Sequence, residues 1–103
     1  GRKIAVLGGM FELGAYEKKG HQKVGIRAAQ VADRLFTYGS LARLISSAAV
    51  DAGLSSSSVA SFDETTEVVS ALQSILKEGD VVLVKGSHSL RMDQIVQALE
   101  VEE

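Results

Sequence analysis

Residues 3–14 read KIAVLGGMFELG, and the fold turns on this stretch. Ile4, Ala5, Val6 and Leu7 form an unbroken apolar run that Gly8 and Gly9 close. A run with no polar residue at alternate positions is the pattern of a strand covered on both faces, as in the middle of a parallel sheet. The two glycines permit a sharp turn and leave backbone amides without side-chain cover, so a ligand can come close there. A plain strand-to-helix turn reads the same way.

Beyond Gly14, a polar patch at 15–20 leads into a segment where His21, Val24, Gly25, Ala28, Val31 and Ala32 recur at helical spacing. This is the first helix. Glycine in mid-helix costs about 1 kcal/mol against alanine, so Gly25 is expected to serve close packing of helix on sheet. Residues 35–38, LFTY, make a second strand closed by Gly39. Ser40 is the expected N-cap of a second helix with Leu41, Leu44, Ile45 and Ala48 on one face, ended by Gly53. The serine run 55–58 reads as a mobile loop before a short edge strand at 59–62. Asp63 is the expected cap of a third helix that buries Val68, Leu72, Ile75 and Leu76, with Lys77 at its negative pole. Gly79 and Asp80 form a turn. Val81, Val82, Leu83 and Val84 then read as a second central strand, ending in Lys85, Gly86 and Ser87. A last helix is expected from Ser89, with Met92, Ile95, Val96 and Leu99 inward.

Four strands alternating with four helices, and no tight hairpin between strands, place the chain in the α/β class. The expected architecture is a Rossmann-like three-layer α/β/α fold: a four-stranded parallel sheet, right-handed crossovers and helices on both faces. In such sheets ligands bind beyond the carboxyl ends of the strands, where the strand order reverses. With the order 3-2-1-4, that point lies between Gly8-Gly9-Met10 and Lys85-Gly86-Ser87.

Composition narrows the chemistry. At 103 residues the chain reads as one domain. A net charge of −2 with only two tyrosines and three phenylalanines gives neither a basic surface nor a stacking platform, so nucleic acid is not an expected partner. There is no cysteine, and His21 and His88 are isolated, so no metal site is expected. The sequence holds no apolar run of membrane-spanning length and no leader pattern, and the expected location is the cytoplasm, away from membranes. A GxGxxG fingerprint does not follow the first strand, and Tyr38-Gly39-Ser40 stands where a dinucleotide fold carries a ribose-binding carboxylate. Lys85-Gly86-Ser87 lacks the glycine five positions before its lysine that a GxxxxGK[ST] loop requires, so no ATP cradle is expected. Nor do acidic residues follow the first strand, as a phosphoacceptor domain needs.

Three motifs carry a resemblance that spans nearly the whole chain. The first is Ile4-Ala5-Val6-Leu7-Gly8 with Met10 and Glu12-Leu13-Gly14, followed by His21, Val24 and Gly25. The second is Leu35-Phe36-Thr37 with Gly39, and the third runs from Gly79 through Val81-Val82-Leu83-Val84 to Lys85-Gly86-Ser87, with Arg91-Met92. In this combination the chain resembles the C-terminal domain of the Mur ligases, and within that family most resembles the ligase that adds D-alanyl-D-alanine. It departs from the family at Gly9, where an aspartate is common, and at His88, where an arginine is common. No role of those two side chains is carried over. The family's domain opens with a strand and an Asn-rich turn for which residues 1–103 hold no counterpart, so the domain reads as trimmed at its N-terminus.

The resemblance implies a domain of a bacterial, cytoplasmic, ATP-dependent peptide ligase of peptidoglycan synthesis. In the whole enzyme ATP phosphorylates the terminal carboxylate of a UDP-linked tripeptide, the amine of D-alanyl-D-alanine attacks the acyl phosphate, and phosphate leaves. The C-terminal domain would hold the acceptor dipeptide and close over a central ATP-binding domain, shielding the acyl phosphate from water. ATP and magnesium belong to that central domain, and this chain alone is expected to be inactive. The implied substrate-binding residues are Gly8, Gly9, Met10, Lys85, Gly86, Ser87, His88 and Arg91, with no catalytic residue and no metal ligand. Lys85, Arg91 and the amides opening the last helix would give that edge a positive potential suited to a carboxylate or phosphate. His21 reads as a packed helix residue that Glu12 can accept from. Two other readings stay open: a non-catalytic α/β interaction or scaffold domain, and the C-terminal domain of a Mur-type ligase with another acceptor.

Overall fold

A computed structural model describes residues 1–11 and 13–86. Its strands are β1 (Lys3–Gly8), β2 (Arg34–Tyr38), β3 (Val59–Phe62) and β4 (Val81–Lys85), and its helices α1 (Glu17–Val31), α2 (Arg43–Asp51) and α3 (Thr65–Ile75). All strand pairs are parallel, in the order β3-β2-β1-β4, so the expected α/β architecture and strand order hold. The expected last helix, with Ser89, Met92, Ile95, Val96 and Leu99, lies outside the described residues.

β1 divides the core in two because its side chains alternate between faces. Ile4 and Val6 point to one side and pack with Phe36, Val68 and Leu72, the last two from α3. Ala5 and Leu7 point to the other and pack with Leu35, Ala28 from α1, and Ala42, Ile45 and Ala49 from the α2 side. The second core is built largely of small residues, so its helices lie close to the sheet and to each other. Phe36 and Phe62 meet edge to face, with ring centroids 5.4 Å apart.

Several local expectations are corrected. β4 is an edge strand of the described sheet, not a central one: Val82 and Val84 pack against the α3-side core, but Val81 and Leu83 are 63% and 58% exposed. An apolar run reports what side chains prefer and not how many neighbours the strand has. Gly25 packs helix on helix, since a Cβ there would lie 2.3 Å from the Ile45 carbonyl oxygen and 2.8 Å from the Ala48 Cβ. The first helix begins within the patch read as polar lead-in, at Glu17, after a 3-10 turn at Gly14–Tyr16. Val31, read as inward, is exposed at the end of α1.

Ser40 does not cap α2. Ala42 is the N-cap, and the Ser40 carbonyl accepts from the Arg43 amide in a preceding turn. Nor does Asp63 cap α3: Glu64 does, in a capping box with Glu67, the Glu64 amide donating to the Glu67 carboxylate at 3.2 Å. Asp63 instead pairs with Arg43 at 3.1 Å. Lys77 lies past the end of α3, where its amide donates to the Asp80 carboxylate at 2.9 Å. The serine run holds a 3-10 turn at Ser56–Ser58, while β3 occupies the expected residues and the expected edge.

Candidate functional site

The strand order reverses between β1 and β4, since the chain moves from β1 through β2 to β3 and then returns to the far side of β1. Leu7 pairs with Lys85, which brings Gly8, Gly9 and Met10 beside Lys85 and Gly86 at the carboxyl edge of the sheet. A cavity of about 200 Å³ opens there, lined by Leu7, Gly8, Met10, Val24, Ile45, Lys85 and Gly86. Leu7 and Ile45 are buried and belong to the α1 and α2 side of the core, so the cavity floor is apolar and fixed. Lys85 is exposed and is the one charged residue among the described residues of this lining.

Of the eight residues expected to bind substrate, Gly8, Met10, Lys85 and Gly86 line this one cavity, and Gly9 sits between two of them. Ser87, His88 and Arg91 lie outside the described residues. Leu7, Val24 and Ile45 complete the lining; the sequence showed them as apolar positions of a strand and two helices, with nothing to separate lining from core.

Two features fix the turn after β1. A Cβ on Gly9 would lie 2.9 Å from the Leu41 Cβ, 3.6 Å from the Ala42 amide nitrogen and 3.7 Å from the His21 Nε2. The start of α2 therefore packs directly on this glycine, and the departure from the family's common aspartate is built into the packing. The second feature is His21, a fully buried side chain on α1. The Met10 amide donates to its Nε2 at 3.0 Å, and its Nδ1 lies 2.7 Å from the Glu17 carbonyl oxygen. Glu12, the acceptor the sequence offers for its ring, lies outside the described residues.

At the opposite end of the sheet an ion pair ties the start of β1 to the start of β4. Arg2 donates from Nη2 to Asp80 Oδ2 at 2.8 Å and from Nε to Oδ1 at 3.3 Å, and its backbone amide donates to Oδ1 at 3.1 Å. The hydrogen bond from the Arg2 guanidinium, followed by that from the Lys77 amide, holds the Asp80 carboxyl well below the usual carboxylate range. A third polar cluster joins β2, β3 and α2: the hydroxyls of Thr37, Ser46 and Ser61 lie 2.7 to 3.0 Å apart in a closed triangle.

Among the described residues no three histidines or carboxylates converge on a point where a cation could sit. Also among the described residues, no helix is long and apolar enough to cross a membrane.

Residues 1–88 match the family described as "Mur ligase, glutamate ligase domain". The chain is 32% identical over 100 residues to the UDP-N-acetylmuramoyl-tripeptide–D-alanyl-D-alanine ligase of Bacillus subtilis, covering 96% of this chain and 22% of that protein. It is 36% identical over 102 residues to the ligase of the same name from Synechocystis, with 98% and 22% covered. The chain thus spans about a fifth of the length of these curated relatives. Among solved structures it is similar to MurF ligase from Thermotoga maritima in complex with ADP, with a TM-score of 0.78 and 28% identity, covering 99% of this chain and 22% of that one. MurF from Acinetobacter baumannii gives a TM-score of 0.76 at 25% identity, covering 96% and 22%. The strand order, the glycine turn after β1 and the match over residues 1–88 agree, and the chain belongs to the Mur ligase family, as its C-terminal domain.

Proposed function

We propose that this domain binds the acceptor in an ATP-dependent ligase that adds D-alanyl-D-alanine to UDP-N-acetylmuramoyl-tripeptide, and that it is inactive alone. The observation that carries this reading is the cavity between Gly8, Met10, Lys85 and Gly86 at the reversal of strand order. Its volume lies below the ~300–1,000 Å³ of pockets that enclose drug-sized ligands, in keeping with a small acceptor. The chemistry of its wall is also suitable. Leu7, Met10, Val24 and Ile45 offer apolar surface to the two methyl groups of the dipeptide, and Lys85 offers a cation to its carboxylate.

In this reading the acceptor carboxylate lies toward Lys85, joined by Ser87 and Arg91, and its free amine points out of the cavity toward a partner domain. Attack on an acyl phosphate then requires that partner, a central domain that binds ATP and magnesium and closes against this edge. Closure excludes water from the activated carboxyl group.

A titration of the chain with D-alanyl-D-alanine, followed by backbone amide chemical shifts, tests this. Changes should cluster at residues 8–10 and 85–91, weaken with added salt and shrink in Lys85→Ala. Affinity should be low, because no second domain helps to desolvate the ligand. Shifts centred on α3 or on the outer face of α1, or an unchanged response in Lys85→Ala, would remove the assignment.

A further inference from the structure

His21 is the largest polar side chain wholly enclosed among the described residues, and its two hydrogen bonds determine its chemical form. A backbone amide can only donate, so Nε2, which faces the Met10 N–H, must carry a free lone pair. A backbone carbonyl can only accept, so the proton must sit on Nδ1, which faces the Glu17 oxygen. Both contacts are satisfied by one state, the neutral imidazole protonated at Nδ1. The Nε2–H tautomer would oppose two donors at Met10 and two acceptors at Glu17.

We propose that His21 is a positioning residue for the candidate site: held as the Nδ1–H tautomer, it fixes the Met10 amide and so sets the wall of the cavity on the β1 side. The link to function rests on reading this edge as the acceptor site. The link to structure does not. Met10 lines the cavity, and its amide is tied to α1, not to the sheet, because β1 ends at Gly8. Gly9 carries no side chain to hold the turn, and the ring of His21 passes beneath it, 3.7 Å from where a Cβ would stand. The imidazole therefore replaces the sheet ladder as the support of the turn, and it does so through an acceptor that leucine lacks and glutamine can approximate.

The test uses the 15N-labelled chain and the variants His21→Gln and His21→Leu. Long-range proton–nitrogen correlation on the unmodified chain should show His21 protonated at Nδ1 and bare at Nε2; a proton on Nε2 overturns the proposal. Exchange of the Met10 amide with solvent should be about tenfold faster in His21→Leu, as expected for one lost hydrogen bond, and should return most of the way in His21→Gln. A group that merely filled space would be served as well by leucine as by glutamine, so equal Met10 exchange in the two variants also overturns it. If His21→Leu fails to fold, the tautomer and the comparison of His21→Gln with the unmodified chain still decide. With D-alanyl-D-alanine as probe, His21→Gln should bind within a few-fold of the unmodified chain and His21→Leu about tenfold more weakly. A chain that shows the expected tautomer and Met10 protection but no response to the dipeptide upholds the support role of His21 and removes the acceptor reading instead.

Discussion

Replacing Gly25 by alanine separates two physical effects that have opposite signs. Helix propensity favours the change by about 1 kcal/mol, because alanine loses less backbone freedom in mid-helix. Packing opposes it. The new methyl carbon would stand 2.3 Å from the Ile45 carbonyl oxygen, 2.8 Å from the Ala48 Cβ and 3.1 Å from the Ala49 nitrogen. Carbon–oxygen contacts of this kind settle at ~3.3–3.6 Å, so α1 and α2 must part by roughly 1 Å. The nearest atom is backbone and no rotamer relieves it, which places the cost at the upper end of the ~1–3 kcal/mol typical of overpacking. The net effect is a loss of about 2 kcal/mol, or roughly 8–16 °C in melting temperature for a domain of this size. Gly20 is the control on the same helix: a Cβ there meets the Leu13 Cδ1 at 3.0 Å, the Tyr16 Cδ1 at 3.7 Å and the Met10 Cε at 4.0 Å, all of them side-chain atoms and none of them backbone. Gly20→Ala should therefore melt at or above the unmodified chain. Urea and thermal unfolding measure both, and a Gly25→Ala variant as stable as Gly20→Ala would refute the close contact of α1 with α2.

Two further outcomes follow from local chemistry. Gly9→Asp, which restores the residue common in the family, should lower stability by ~1–3 kcal/mol, because its Cβ meets the Leu41 Cβ at 2.9 Å; an unchanged urea midpoint would show that the start of α2 is free to move. Asp80 has a folded pKa below its unfolded one, so the pair with Arg2 contributes fully above the unfolded value near pH 4 and is lost as pH falls through the folded value. The melting temperature of the unmodified chain should thus fall more steeply than that of Asp80→Asn below pH ~4, and parallel curves would deny the pair a role.

The sheet was legible because its signals are local. The run Ile4 to Leu7, the short strand Val59–Phe62 and the glycines at 39, 53 and 79, all with positive φ, each carry their own reason for their conformation. What escaped depends on a partner. Asp63 and Glu64 are adjacent carboxylates, and Glu64 is the cap because Glu67 follows three residues later and Arg43 draws Asp63 away. The hydroxyls of Thr37 and Ser61 meet only once the β2–β3 register is known, since those two residues are paired across the strands. Gly25 announced close packing but not its object, and helix on sheet and helix on helix leave the same mark on one sequence. At the candidate site, glycines and a lysine at strand ends were readable, whereas the bond from Met10 to His21 joins a turn to a helix 11 residues away.

These separate features meet at the turn after β1. Ala5 and Leu7 of β1 face Ala28, Ala42 and Ala49, so small side chains let α1 and α2 settle close to the sheet, and Gly25 lets them settle close to each other. That spacing determines where the two supports of the turn stand. α2 brings Leu41 and Ala42 against Gly9 from one side, and α1 brings the His21 ring to the Met10 amide from another. A turn held by two helices keeps its shape only as long as their separation does. If the helices part by 1 Å, Gly9 loses its contact or the Met10–His21 bond stretches from 3.0 Å beyond hydrogen-bonding range. The glycine at the centre of α1 and the cavity at the edge of the sheet are therefore parts of one mechanical arrangement. The smallness of residues that never touch the cavity is what fixes the position of the amide that lines it.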